Sequence, residues 1–258
     1  MKIVVKVGTS TLAHATGRMN IKRFEELCKV LSDLKNAGHE IILVSSGAIG
    51  MGMGKLHLPS RPRDLATKQA AAAVGQCELM YVYDKLFAEY NHTVAQLLLD
   101  ADDLRNEARH LNFENTVKTL LQMSVIPIIN ENDTVTTKEI EIGDNDTLSA
   151  HVAVSVGAEL LVILSDIDGL YTSNPKTDPN AVLIPHVYEL TDEICSLGGE
   201  AGSELGTGGM YTKLKAARIA LGGGCDMVIA NGSRPICLYD IADGIDVGTR
   251  FHAKGINK

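Results

Sequence analysis

Six short runs rich in Val, Ile and Leu recur along the chain, at residues 3–7, 41–44, 94–99, 125–129, 160–164 and 227–230, separated by longer stretches of helical periodicity. Apolar runs of this length without polar alternation read as strands buried on both faces, and such strands belong to parallel sheets covered by helices. A first helix is expected after Asn20, an N-cap residue, with Phe24, Leu27, Cys28, Leu31 and Leu34 on its apolar face and Gly38 at its end. Further helices are expected over residues 64–90, 113–123, 147–156 and 210–221. The alternation implies an α/β fold with a mostly parallel central sheet and helices on both faces.

In sheets of this kind ligands sit beyond the carboxyl ends of the strands. Polar clusters fall in those places: Ser45, Ser46 and Gly47 after the second run, Asn130 to Asp133 after the fourth, Ser165 and Asp166 after the fifth. The chemistry is therefore expected along one edge. Residues 134–142 alternate β-branched and charged side chains and read as an exposed hairpin, while residues 169–185, with three prolines, read as a turn-rich excursion. There is no low-complexity tract, internal repeat or linker, so any division into lobes has to come from the fold.

The 258 residues suffice for a large core, and 45% hydrophobic with 22% charged residues is the balance of an ordinary globular protein. A net charge of −8 and the lack of a Lys/Arg run argue against a nucleic-acid surface. The opening apolar run is too short for a signal peptide, and no stretch is long enough to cross a bilayer, so a cytoplasmic protein without a membrane partner is expected. Five cysteines without a C-x-x-C pair suggest neither a disulfide framework nor a zinc site and read as reduced core residues.

Four segments carry chemical character. Lys6-Val7-Gly8-Thr9-Ser10 closes the first strand, where a lysine alone could be a solvated terminus. Residues 45–54, with glycines at 47, 50, 52 and 54, form either a loop whose backbone N–H groups cradle an anion or a simple connector. Gly143-Asp144-Asn145-Asp146 leads into a helix; capping needs one such side chain, and three exceed it. Gly206 to Gly209 reads as a loop that delivers Lys213 into the first turn of the next helix, where backbone donors and the positive helix end would face an anion. That glycine-rich stretch has the spacing of neither a Walker A loop nor a dinucleotide fingerprint.

Together Val-Lys-Val-Gly-Thr-Ser, Val-Ser-Ser-Gly-Ala-Ile, Ile-Asn-Glu-Asn-Asp, Gly-Asp-Asn-Asp-Thr-Leu-Ser-Ala, Gly-Thr-Gly-Gly-Met-Tyr-Thr-Lys and the closing Gly-Thr-Arg-Phe-His-Ala resemble the glutamate 5-kinase family of the amino acid kinase superfamily. The resemblance spans nearly the whole chain. It implies a three-layer αβα sandwich over residues 1–258, an N-terminal part binding L-glutamate, a C-terminal part binding ATP, and transfer of a phosphoryl group to the glutamate side chain as the first step toward proline. By the matching motifs, Lys6 and Lys213 contact the phosphoryl group and Asp146 holds them in place. Ser46, Gly47, Asn130, Asp133, Asp144 and Asn145 form the glutamate shell. Lys6, Ser165, Asp166, Thr207, Gly208, Gly209, Met210, Tyr211, Thr212 and Lys213 serve the nucleotide. Mg²⁺ is expected to ride on the nucleotide phosphates without an assigned protein ligand, L-proline to act as a feedback inhibitor, and the protein to form a homo-oligomer, residues 64–90 carrying enough apolar surface for a helix-packed dimer.

The chemistry of the reaction decides one role. A side-chain carboxylate titrates near pH 4.3, so at neutral pH the nucleophile is already ionised and Asp146 has no proton to remove; it reads as an organiser. The obstacle is repulsion between anions, each unit pair at about 4 Å being worth roughly 4 kcal/mol at an effective dielectric near 20. Within the superfamily the rivals are acetylglutamate kinase, aspartate kinase and uridylate kinase, separated by the substrate loop; outside enzymes the rival reading is a regulatory nucleotide-binding module, against which the coexistence of Lys6, Asp146 and Lys213 favours catalysis. Two departures from the family pattern stand out: Glu141 where members often carry Lys or Arg, and a chain that stops at Lys258 where many continue into a PUA domain, so that none is expected here.

Overall fold

The computed structural model describes residues 1–14, 18–135, 144–199 and 209–253. In chain order the first half contains β1 (Lys2–Val7), α1 (Thr9–Leu12), α2 (Ile21–Asn36), β2 (Glu40–Ser45), α3 (Ala48–Lys55), α4 (Leu65–Ala88), β3 (Val94–Leu99), α5 (Ala101–Arg105), α6 (Glu107–Gln122) and β4 (Ile126–Glu131). The second half contains α7 (Asn145–Ser155), β5 (Leu160–Ser165), β6 (His186–Val187), α8 (Asp192–Ser196), α9 (Met210–Gly222), β7 (Asp226–Asn231), α10 (Cys237–Ala242) and β8 (Thr249–Phe251).

The strands form one sheet of order β3-β4-β2-β1-β5-β7-β8-β6, parallel except where β8 runs antiparallel to β7. β1 lies in the interior, pairing Val7 with Ser45 of β2 and with Leu164 of β5. Because side chains alternate along a strand, each strand feeds two cores. Ile3, Val5, Ile41, Leu43, Val162 and Leu164 pack against α2, α4 and α10. Val4, Ile42, Val44, Leu161 and Ile163 pack against α6, α7 and α9. The result is the αβα sandwich expected from the alternation of apolar runs.

All six expected strands are present, each within a residue or two of its expected bounds. The two short strands β6 and β8 were not anticipated. With two and three residues they carry too little apolar periodicity to read; Thr249 ties β8 to its surroundings, its hydroxyl donating to the Ile184 carbonyl at 2.6 Å and accepting from the Leu170 N–H at 2.8 Å. α6 starts at Glu107, capped by Asn106, earlier than expected, because its first two turns are mostly exposed polar residues with no apolar stripe.

Two expectations are corrected. Residues 48–55, read as a glycine loop, form helix α3. Glycine is a poor helix former, but an added Cβ on Gly52 would lie 1.8 Å from the Ala71 carbonyl oxygen, and one on Gly75 would lie 1.7 Å from that of Ala48. The glycines let α3 and α4 cross in backbone contact, and only Gly47, at φ 111°, serves a turn. The cysteines are all free, but only Cys28 and Cys225 are core residues; Cys77 is exposed, and Cys195 and Cys237 are half-buried. The hairpin expected over residues 134–142 lies, beyond residue 135, outside the described residues.

Candidate active site

Lys6 sits one residue before the end of β1, and strand alternation turns it to the same face as Val4, toward α7 and α9. α7 begins where Asp144 accepts the Thr147 N–H at 2.9 Å and the Thr147 hydroxyl at 3.1 Å. That cap places Asp146 in the first helical turn, fully buried, where a negative charge is favoured by the helix dipole. α9 opens at Gly209, which offers no side-chain cap, and carries Lys213 inward to 4% exposure.

These three elements converge on one carboxylate. Lys6 Nζ lies 2.6 Å from Asp146 Oδ1, while Lys213 Nζ at 3.1 Å and the Thr212 hydroxyl at 2.9 Å donate to Oδ2. Burial pushes the Asp146 carboxyl upward, but Lys6 and Lys213 outweigh it and hold the group below the ordinary carboxylate range. Neighbouring Asp144 goes the other way: burial first, then the charge of Asp146, raise it against the hydrogen bonds from Thr147. Two ammonium groups thus converge on one carboxylate in a dehydrated place, a set of cationic donors that suits a transferring phosphoryl group.

A second polar chain runs beside this group. Asn145 Nδ2 donates to Ser46 Oγ at 2.7 Å and to Asn130 Oδ1 at 2.9 Å. Asn130 Oδ1 also accepts the Glu131 N–H at 2.9 Å, and its Nδ2 donates to Gln76 Oε1 at 2.9 Å. Asn145 Oδ1 is buried and has no hydrogen-bond partner among the described residues.

Both groups open on one cleft of about 2170 Å³ along the carboxyl edge of the sheet. Lys6, Ser46, Gly47, Asn130 and Asp133 line it from β1, β2 and β4. Asp144, Asn145 and Asp146 enter from α7, and Ser165 and Asp166 from the end of β5, where the Ser165 hydroxyl donates to Asp166 at 3.2 Å. Gly209, Met210, Tyr211, Thr212 and Lys213 close the other side. Thr207 and Gly208 lie outside the described residues, as does Glu141. Every described candidate from the sequence thus lies on one continuous surface. Thr212, expected on the nucleotide, also reaches Asp146, a bond that motif matching could not show because it depends on the approach of α7 to α9.

Gln76 was missed. It lies on α4 among buried Ala72, Gly75 and Leu79, and this one polar residue on an otherwise apolar helix stripe was a usable signal. Arg18, Tyr171, Asn174 and Leu197 also line the cleft without having been singled out; they come from turns and loops whose position only the tertiary fold sets.

Residues 1–231 match the model of the amino acid kinase family. A glutamate 5-kinase from Clostridium perfringens is 53% identical over 257 residues, covering 98% of this chain and 96% of the relative. One from Listeria welshimeri is 50% identical over 98% of this chain and 93% of the relative. One from Caldanaerobacter subterraneus is 51% identical over 97% of this chain, which spans 68% of that longer relative. Among solved structures, carbamate kinase from Giardia lamblia bound to AMP-PNP superposes with a TM-score of 0.69 at 17% identity, covering 97% of this chain and 98% of that one. The isopentenyl phosphate kinase of T. acidophilum, in a product complex, gives 0.68 at 16% identity over 98% and 100%. These distant structures share the fold, and the high identities over nearly full length carry the assignment: the chain belongs to the amino acid kinase family and groups there with the glutamate 5-kinases.

Proposed function

We propose that the protein transfers the γ-phosphoryl group of ATP to the side-chain carboxylate of L-glutamate, giving L-glutamyl 5-phosphate, the first step of proline biosynthesis. The observation that carries the reading is the single buried carboxylate of Asp146 holding Lys6 and Lys213 at 2.6 and 3.1 Å. In the transfer a carboxylate oxygen attacks phosphorus while the bond to the β-phosphate oxygen breaks. No proton has to be removed, so positioning and charge stabilisation do the work. Lys6 and Lys213 stabilise the charge that spreads over the phosphoryl oxygens; Asp146, held by both lysines and Thr212, keeps them aimed.

The glutamate part of the site is the shell of Ser46, Gly47, Asn130, Asp133, Asp144 and Asn145, contributed by the N-terminal part of the chain and the start of α7. The carboxylates of Asp133 and Asp144, which line the cleft, suit an α-ammonium group. The nucleotide lies against Ser165, Asp166 and the residues leading to Lys213, Thr207 and Gly208 included. Mg²⁺, which prefers phosphate and water ligands, would ride on the nucleotide phosphates without an assigned protein ligand and would neutralise part of their charge. L-proline, sharing an α-carboxylate and a cationic nitrogen with glutamate, competes for the same shell. A homo-oligomer in the cytoplasm completes the reading. No helix among the described residues is long and apolar enough to cross a membrane.

Coupled measurement of ADP release against L-glutamate, L-aspartate and N-acetyl-L-glutamate tests the proposal. Turnover that needs free L-glutamate is the expected result. Preferential turnover of either analogue, or none with any of them, overturns it. A grid of glutamate and proline concentrations reads the inhibition: a raised apparent KM is expected, and inhibition indifferent to glutamate places proline elsewhere.

A further inference from the structure

Gln76 has no part in the chemistry described above, yet it is 7% exposed and holds the end of the hydrogen-bonded chain that reaches Ser46. The direction of that chain is not free. The Glu131 backbone N–H can only donate, so the atom of Asn130 that meets it at 2.9 Å is Oδ1. The same oxygen accepts from Asn145, so the group Asn145 turns to it is its amide nitrogen, and Asn145 Oδ1 is the atom left over. Asn130 Nδ2 then faces α4, where it needs an acceptor, and Gln76 Oε1 supplies it at 2.9 Å.

The other end of Gln76 argues that this acceptor is what the position is for. Its Nε2 is buried with no hydrogen-bond partner among the described residues, an unfavourable state for an amide. An apolar side chain of similar length would remove that penalty and pack equally well among Ala72, Gly75 and Leu79. Only the oxygen gives a reason for an amide here.

We infer that Gln76 is a positioning residue for the amino-acid substrate: by accepting from Asn130 Nδ2 it holds the Asn130 amide in place, and through it the Asn145 amide that lines the substrate cleft. The inference rests on the proposed glutamate kinase reading. Gln76 belongs to α4, away from the nucleotide side, so its effect falls on one substrate only.

The test is steady-state kinetics of the full chain with Gln76→Met, of similar shape but without the oxygen, and with Gln76→Glu, which keeps an acceptor at the same reach. Gln76→Met is expected to raise KM for glutamate about tenfold or more, with KM for ATP within about twofold and the thermal midpoint nearly unchanged. Gln76→Glu is expected to retain much more of the glutamate affinity than Gln76→Met. In an Asn130→Ala background, Gln76→Met should add nothing to KM, because Gln76 acts through Asn130. Unchanged KM for glutamate in Gln76→Met, or an equal rise in both backgrounds, overturns the inference. If Gln76→Met does not fold, Gln76→Asn, one methylene too short to reach Asn130, takes its place with the same expectations. A wild-type enzyme without glutamate-dependent ADP release sinks the functional reading itself, and this inference with it; an active wild type with an indifferent Gln76 sinks only the latter.

Discussion

Lys6 and Lys213, 207 positions apart in the chain, approach opposite oxygens of the Asp146 carboxylate at 2.6 and 3.1 Å, one from the end of a central strand and one from the first turn of the helix packed on the face to which that lysine points. One anion thereby aims two cations at the same place. If both act on one phosphoryl group, Lys6→Met and Lys213→Met should each lower kcat about 10²–10³-fold, the range seen when one preorganised donor to a transition state is removed. The double variant should lose less than the product of the two. Strict multiplicativity of the losses, read from kcat under saturating substrates, assigns the lysines separate tasks.

Asp146 should matter to the fold as well. Removing one member of a buried ion pair leaves the other uncompensated, and Asp146→Asn does this to two lysines, so a loss of about 3–5 kcal/mol is expected by urea unfolding. The pH dependence has a definite sign. Since the folded carboxyl is held below its ordinary value, its pairing stabilises the protein above the unfolded value near pH 3.9 and is lost as pH falls through the folded value. Asp146→Asn should flatten that acid limb. An unaltered limb would mean that other carboxylates govern it.

Asp144 is predicted to behave oppositely. Its carboxyl is raised by burial and by Asp146, so the stability it contributes is full below about pH 3.9 and disappears as pH rises through the folded value. Asn caps a helix as well as Asp does, and Asp144→Asn should therefore raise the thermal midpoint at pH 7 while the two proteins converge at low pH. Glutamate binding should weaken in the same variant if Asp144 faces the ammonium group. A midpoint that falls at pH 7 would show that its charge is needed by the cap.

At the crossing of α3 and α4 there is no room for a methyl group: Gly52 and Gly75 each face a backbone carbonyl at under 2 Å from an added Cβ. Gly52→Ala should cost about 1–3 kcal/mol through forced backbone shifts. Because α3 begins at Gly47 beside Ser46, the shift should also raise KM for glutamate more than KM for ATP. Equal effects on the two constants would separate the crossing from the substrate shell.

Thr249→Val tests the knot that holds the short edge strands. The valine keeps the shape but leaves the buried Leu170 N–H without its acceptor, a loss of about 1–3 kcal/mol. Chemical denaturation reads it directly, and kcat for the folded protein should be nearly unchanged. A variant as stable as wild type would mean that β6 and β8 are held by packing of Phe251 alone.

The sheet was legible in the chain because its strands are buried on both faces and therefore spelled almost wholly in Val, Ile and Leu; the edge that bears the site was legible because Ser46, Asn130 and Ser165 follow those runs. Motif order supplied Lys6, Asp146 and Lys213. What local sequence could not supply was distance. Residues 48–55 looked like a loop because the use of Gly52 is contact with Ala71 and Gly75 of another helix, which no local propensity records. Gln76 and the Thr212 hydroxyl gained their roles only when α4 met β4 and α9 met α7. Strands β6 and β8 exist because a neighbour offers hydrogen bonds to segments too short to be strands alone. Burial leaves a periodic trace in the chain, and so the core could be read from it; a hydrogen bond between side chains dozens of residues apart leaves none, and the polarity of the substrate shell was decided by the packed structure.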